Sequence, residues 1–178
     1  MNEDWKRKLV EANTELFVRT LRGVPFAPAF PICCDGWREL VTRLVKRVAN
    51  AASGYPVQFT QIIEYQGSLR VQWMTRSSLP KPIELALEEA VARAEARSAC
   101  TCSNCGAQGR LFSDGARLFT ACATHRRGIS VPSVRGFHDV YLVRAIVGGK
   151  SALVSRHYDR ATDAFVDFSP APLESAED

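Results

Sequence analysis

Apolar residues recur at helical spacing in three stretches of the chain, each bounded by residues that stop helices. The first stretch spans residues 3–22 and ends at Gly23, the second runs from a predicted N-cap at Asp35 to about Ala52, and the third follows Pro80 and Pro82 and runs to about Ser98. The predicted buried positions are Trp5, Leu9, Ala12, Leu16, Phe17 and Leu21, then Trp37, Leu40, Val41, Leu44, Val45 and Val48, then Ile83, Leu87, Val91 and Ala94. This pattern predicts three amphipathic helices.

Other segments have the alternation and turn residues of antiparallel strands. β-branched and aromatic residues fill 57–65, Gln66-Gly67-Ser68 forms a turn, and apolar and polar residues alternate over 69–73, which predicts a hairpin. Segments 140–147, 152–158 and 164–168 are separated by Gly148-Gly149 and by a polar turn at 159–163, which predicts a meander, although 140–147 also fits a helix. The Pro-rich segment 24–34 is predicted to be extended, and the tail from Ser169 to be disordered.

Two spaced pairs of metal-ligating residues lie between the third helix and the meander. Cys102 and Cys105 are followed by Gly106, and Cys122 and His125 form the second pair. Two intervening residues let both side chains of one tight turn reach the same ion, and three thiolates with one imidazole suit the tetrahedral preference of Zn²⁺. The sequence therefore predicts a closed zinc site, which in proteins usually stabilises a fold.

The segment between the pairs supports this interpretation. Asp114-Gly115 lies between Arg110-Leu111-Phe112-Ser113 and Ala116-Arg117-Leu118-Phe119, which predicts a two-residue hairpin turn with positive φ at both positions. Such a hairpin brings the second pair beside the first, as in a zinc ribbon. Two alternatives stay open: unrelated buried thiols with a surface histidine, and Cys100 as a substitute ligand.

Composition and charge limit the classes of function only loosely. The 178 residues are 46% hydrophobic and 24% charged, as in an ordinary globular protein, and the net charge of +4 permits nucleic-acid binding without requiring it. No run of 18 apolar residues occurs, and the N-terminus is charged without a signal-peptide core. Zinc-type thiols then predict a cytoplasmic protein, with Cys33 and Cys34 more consistent with buried small side chains than with a redox pair.

Several motifs together resemble a widespread group of small uncharacterised bacterial and phage proteins. They are Asp35-Gly36-Trp37 at a helix start, the Glu64–Arg70 hairpin, Ala94-Glu95-Ala96-Arg97-Ser98 at a helix end, and the two metal pairs, covering roughly residues 30–126. This chain differs by having Tyr65-Gln66 where a Phe precedes the Gly, Phe119 where Trp is common, and about 50 residues beyond the usual end. The resemblance implies a fold and a metal, and no activity.

The sequence predicts an α+β protein with three helices, a β-hairpin, a zinc-ribbon-like Cys3His module and a C-terminal antiparallel β extension. The predicted units are residues 1–98, 99–128, 129–168 and a tail at 169–178. The predicted function is non-enzymatic binding or regulation through a protein partner that the sequence does not identify, with a phage or mobile element as the setting that the resemblance implies.

Two alternative functions remain. The first is nucleic-acid binding through the arginines around the zinc hairpin, with Phe112 and Phe119 as stacking surfaces. These arginines are Arg110, Arg117, Arg126, Arg127 and Arg135. The second is a nuclease-like or other zinc-dependent enzyme, which the sequence disfavours because four ligands leave no open metal position and no catalytic residues can be assigned.

Overall fold

A computed structural model describes residues 3–133 and 137–168 of the chain, which form a mixed α and β structure. Its helices are α1 (Asp4–Glu11), α2 (Thr14–Phe17), α3 (Arg38–Ala51) and α4 (Lys81–Ala99). The strands are β1 (Arg19–Leu21), β2 (Val24–Phe26), β3 (Val57–Tyr65), β4 (Ser68–Thr75), β5 (Arg110–Ser113), β6 (Leu118–Ala121), β7 (Ile129–Ser130), β8 (Val140–Val147), β9 (Lys150–Asp159) and β10 (Ala164–Asp167). These strands pair antiparallel in four small sheets within the described residues.

The prediction of one helix over residues 3–22 is wrong. Helix α1 ends at Glu11, and the Asn13 side-chain amide donates to the Leu9 carbonyl at 2.8 Å, which closes the helix end. The short helix α2 follows, and β1 and β2 then pair around Arg22 and Gly23, which both have positive φ. The described chain thus has four α-helices instead of three, and the segment predicted as an extended connection begins with β2.

The second predicted helix is confirmed, but its start differs from the prediction. A 3₁₀ turn over Asp35–Trp37 precedes α3, and no side-chain cap is formed at either start. The Asp35 carboxylate instead accepts a hydrogen bond from the Trp5 indole at 2.9 Å. All apolar positions predicted for this helix are buried, namely Trp37 in the 3₁₀ turn and Leu40, Val41, Leu44, Val45 and Val48 in α3. Their stripe forms one hydrophobic core with β3, β4 and α4.

The β3–β4 hairpin is confirmed, and α4 hydrogen-bonds to one of its edges. Gln66 and Gly67 both have positive φ, as a two-residue turn requires. The Leu69 N–H donates to the Ser98 hydroxyl at 2.6 Å, and the Val71 N–H donates to a Glu95 carboxylate oxygen at 3.0 Å. The backbone N–H groups of Leu69 and Val71 in β4 therefore donate to side chains from the end of α4.

The C-terminal segment is the predicted meander, in the order β10-β9-β8, and the helical alternative for 140–147 is wrong. Tyr158 and Phe165 pack with Ala96 of α4 in a separate hydrophobic cluster. The buried Asp163 accepts hydrogen bonds from Arg47 at 2.7 Å and Arg43 at 3.3 Å. The sheet is thus held against both long helices. The predicted tail lies outside the described residues.

Candidate metal centre

The first ligand pair lies in a tight turn that directly follows α4. The Gly106 N–H donates to the Cys102 carbonyl at 2.9 Å, and the Cys102 N–H donates to the Ala107 carbonyl at 2.8 Å. Gly106 has φ +77°, the left-handed conformation that a residue with a side chain adopts only at a cost. Both cysteine side chains of this turn can therefore face the same point, as the two-residue spacing predicts.

The second ligand pair is delivered by the hairpin of β5 and β6, although its turn differs from the prediction. Ser113 pairs with Leu118, so four residues form the loop, and of the Asp-Gly pair only Gly115 has positive φ. The Asp114 carboxylate accepts the N–H groups of Ala116 at 3.1 Å and Arg117 at 3.0 Å. The short strand β7 pairs with β5, so this sheet extends past the predicted boundary at residue 128.

Cys102, Cys105, Cys122 and His125 come together as a group that could hold a metal ion. Their ligand atoms all lie within 4.8 Å of one another. The Cys105 and Cys122 sulfur atoms are 3.7 Å apart, and His125 Nδ1 is 3.3 Å from Cys122 Sγ and 3.7 Å from Cys102 Sγ. A tetrahedral ion with metal–sulfur bonds near 2.3 Å places its ligands about 3.6–3.8 Å apart. The spacing of this group therefore fits four-coordinate binding.

The local electrostatics favour a thiolate at Cys122. Burial acts to raise the pKa of this thiol, but hydrogen bonds from the His125 and Thr124 backbones and from the His125 side chain outweigh that effect and lower the pKa to about 6. Cys102 is buried, Cys122 is half-buried, and Cys105 is exposed. One side of the group is therefore exposed to solvent.

Cys100 does not belong to this group. Its thiol donates to the Arg97 carbonyl at 3.3 Å, and its side chain lies in the cluster with Ala96, Tyr158 and Phe165. Burial raises the pKa of this thiol, which disfavours the thiolate that a metal needs. Cys100, which directly follows α4, therefore packs against the C-terminal sheet, and the group that could hold a metal consists of the four residues that the spacing predicts.

The group contacts the helical and hairpin part of the fold, called the scaffold below, at the start of α3. The Gly36 N–H donates to the Ser103 carbonyl at 2.8 Å, and the Trp37 indole donates to the Thr101 carbonyl at 2.8 Å. A Cβ on Gly36 would lie 2.5 Å from the Cys102 carbonyl oxygen, so only glycine fits there. The Gly-Trp motif was the sequence signal for this contact, but its spatial partner could not be read from the sequence.

A second contact joins the hairpin of the metal group to the β3–β4 turn. The buried Thr120 hydroxyl donates to the Gly67 carbonyl at 2.6 Å. A Cβ on Gly67 would lie 2.4 Å from the Leu111 side chain and 3.2 Å from the Phe119 backbone. The glycine of the hairpin motif thus serves both the turn and the close approach of the metal-binding segment.

The aromatic residues proposed as stacking surfaces point inward. Phe112 and Phe119 are buried against each other, so they do not offer the exposed rings that the nucleic-acid alternative requires. Arg110 lies 5.3 Å from the Phe112 ring centre, and Arg127 lies 5.0 Å from that of Phe119. These guanidinium groups therefore cover the outer sides of the rings.

The described arginines lie around the module but do not form an uninterrupted basic surface. Arg117 and Arg127 both approach the Asp114 carboxylate, at 3.5 and 3.9 Å. Arg126 lines a cavity of about 270 Å³ together with Arg110, next to Cys122. Arg135 lies outside the described residues. The positive potential of this face is thus partly neutralised by one acid.

Other candidate reactive groups are used elsewhere or are inert. Glu95 binds the β4 backbone and approaches Arg70 at 3.5 Å, so it does not serve as a base for the metal group. Burial raises the pKa of the Cys33 thiol to about 12, and Cys33 and Cys34 are both free thiols. Cys33 is buried as expected, whereas Cys34 is only half-buried, with its sulfur 3.7 Å from Glu64.

Comparison of the chain with protein-family models, with curated proteins and with solved structures gives no match. Within the described residues, no helix combines the length and apolar character needed to span a membrane.

Proposed function

We propose that the chain binds one Zn²⁺ through Cys102, Cys105, Cys122 and His125, and that it acts as a non-enzymatic binding or regulatory protein through a protein partner. The observation that supports the metal identity is the donor set: three thiolates and one imidazole at tetrahedral spacing suit Zn²⁺ better than the oxygen-preferring Mg²⁺ or Ca²⁺. Zinc thiolates persist in reducing compartments, which supports a cytoplasmic location.

The ion is proposed to stabilise the fold. Four protein ligands complete a tetrahedral shell and leave no position for a water nucleophile. The turn that carries Cys102 and Cys105 also contacts Gly36 and Trp37 of the scaffold through backbone atoms. Zinc binding would therefore hold together the end of α4, the start of α3 and the β5–β6 hairpin.

The metal assignment is tested by zinc content and thermal stability of the purified protein. We expect one zinc per chain, lost in Cys105→Ser together with a marked fall in melting temperature, because metal-binding free energy contributes to folding in such sites. Cys100→Ser is the matched control, since this thiol lies outside the group, and it should retain the metal. Unchanged zinc content in Cys105→Ser would overturn the ligand assignment.

The alternative function, nucleic-acid binding, rests on the described arginines of the metal module. A cavity of about 470 Å³ beside His125 is lined by Arg117, Arg127 and Tyr65, a combination that could contact phosphates and one base. The shared ion pairing with Asp114 and the burial of both phenylalanines weaken this alternative. It therefore ranks below protein binding.

The affinity of the protein for mixed-sequence single- and double-stranded DNA and RNA, measured over a salt series, distinguishes the two functions. Sub-micromolar affinity that falls steeply with salt and is lost in the Arg117→Glu, Arg127→Glu double variant would favour nucleic-acid binding over a protein partner. Arg76→Glu, an exposed charge reversal outside the module, is the control. Absence of binding at low salt would retire the alternative.

A further inference from the structure

The metal group has a buried side and an exposed side, and two of its sulfur atoms lie together on the exposed side. Cys105 is exposed, Cys122 is half-buried, and their sulfur atoms are 3.7 Å apart. Cys102 is fully buried. A reagent that arrives from solvent would therefore meet the Cys105 sulfur before the Cys102 sulfur.

A surface cavity reaches the exposed ligand from the side of α3. Its volume is about 520 Å³, and residues between Asp35 and Arg43 line it on that side. Of the three cysteines in the metal group, all within the described part of the chain, Cys105 lines this cavity and Cys102 and Cys122 do not. One water occupies only about 30 Å³ in the liquid, so a molecule as small as hydrogen peroxide has room to approach the Cys105 sulfur.

The three thiols outside the metal group are poorer targets for an oxidant. Cys33 and Cys100 are buried. Cys34 is half-buried, and burial together with the nearby Glu64 carboxylate raises the pKa of its thiol. Oxidation by peroxide follows thiolate character and exposure, and zinc holds its cysteine ligands as thiolates. Zinc-bound Cys105 would therefore combine both properties.

We infer that hydrogen peroxide joins Cys105 to Cys122 in a disulfide and thereby releases the zinc ion. This inference rests on the zinc binding proposed above and adds the regulation of that site. The Cys105 thiolate attacks one peroxide oxygen, the O–O bond breaks, and hydroxide leaves, so the sulfur becomes a sulfenic acid. The Cys122 thiolate then attacks the Cys105 sulfur, an S–S bond forms, the S–O bond breaks, and a second hydroxide leaves.

Peroxide itself balances this oxidation, and the new bond explains the loss of zinc. The two thiolates together lose two electrons, and the peroxide gains them as two hydroxides, which take up protons from solvent. The disulfide removes two of the four ligands, and Cys102 and His125 alone do not complete a tetrahedral shell. The bond still joins the turn after α4 to the β5–β6 hairpin, so reduction would restore all four ligands.

Peroxide treatment of the full zinc-loaded chain, with a chromophoric zinc chelator present, tests this inference. Zinc content is measured beforehand, and a sample without peroxide gives the background release. Released zinc and the disulfide between Cys105 and Cys122, mapped by mass spectrometry after free thiols are blocked, should appear in equal amounts. Dithiothreitol with added zinc should then restore the original zinc content. Cys34→Ser and Cys100→Ser are the matched controls, because each removes a free thiol outside the metal group, and both should release zinc at the wild-type rate.

Three outcomes would overturn the inference while leaving the zinc assignment intact. The first is zinc that stays bound in the presence of peroxide. The second is a disulfide that includes Cys102 or that joins Cys33 to Cys34, and the third is zinc release that Cys34→Ser slows, since another thiol would then react first. A purified chain without zinc would overturn the proposed function together with this inference, so the zinc content measured before oxidation distinguishes the two failures.

Discussion

Gly36→Ala should separate the metal-binding turn from the scaffold. Gly36 does not need a left-handed backbone; its lack of a side chain is required because backbone atoms surround it. An added Cβ would lie 2.5 Å from the carbonyl oxygens of Cys102 and Ser103 and 2.6 Å from the Cys105 nitrogen. All three are backbone atoms of the turn that carries two ligands, so no side-chain rotation can relieve the overlap.

The expected loss of stability is a sum of two contributions. Moving the turn away breaks or lengthens the bonds from Gly36 N–H to Ser103 and from the Trp37 indole to Thr101, each 2.8 Å long and each worth about 1 kcal/mol net. Residual overpacking adds about 1–3 kcal/mol. The free energy of unfolding should therefore fall by roughly 3–5 kcal/mol, or about 10 °C in melting temperature for a chain of this size.

Urea unfolding and competition with a chromophoric zinc chelator measure the two consequences. Gly54→Ala is the control, because Gly54 has φ +84° with nothing within 4 Å of its added Cβ, so it costs only the left-handed backbone energy of about 1–2 kcal/mol. Gly36→Ala should also weaken zinc binding at least tenfold, since the ligand turn is displaced. If it costs no more than the control and binds zinc normally, the scaffold contact is not what positions the site.

Two further predictions concern the contacts of α4 and of the C-terminal sheet. Ser98→Ala should lower the free energy of unfolding by about 1–3 kcal/mol, because the buried Leu69 N–H loses its acceptor. Urea titration measures this change, and an unchanged free energy of unfolding would mean that another acceptor replaces the hydroxyl. Burial acts to raise the pKa of Asp163, but the hydrogen bonds from the Tyr158 hydroxyl and Arg47 outweigh burial and hold this pKa below the ordinary value. The ionised carboxylate therefore stabilises the fold fully above about pH 4, and this stabilisation is lost as pH falls through the native pKa. Asp163→Asn should therefore destabilise the protein by about 2 kcal/mol at pH 7 and progressively less below about pH 4, as followed by thermal melts across pH; a constant difference would contradict the ionic role.

Spacing along the chain was sufficient to predict the group that could hold a metal and the β3–β4 hairpin, whereas residues 140–147 fitted either a strand or a helix. Cys102 and Cys105 lie in one turn, as do Cys122 and His125, so the relation within each pair depends on few backbone angles. The alternation around Gln66-Gly67 similarly specified a hairpin without distant contacts. Local geometry and local chemistry are enough for such features, because neighbouring residues in sequence remain neighbours in any fold.

Spacing did not predict features that depend on the path of the chain or on the direction in which a side chain points. Leu21 continues the helical spacing of Leu16 and Phe17, yet it lies in β1, because α2 ends at Phe17, Val18 is extended and Gly23 turns the chain back. Phe112 and Phe119 alternate with arginines in a manner equally consistent with exposed or buried rings. Their burial was decided by how the hairpin packs on its neighbours.

By itself, the sequence predicted the four residues that could hold a metal, the β3–β4 hairpin and the two long helices, since each follows from periodicity or spacing over a few residues. Only the tertiary structure decided that Glu95 and Ser98 bind the edge of β4, that Gly36 admits the ligand turn, and that Asp163 joins the C-terminal sheet to α3. These contacts join residues from 24 to more than 100 positions apart. Which distant partners meet depends on the packing of all the elements together, and local preferences contain no information about that choice.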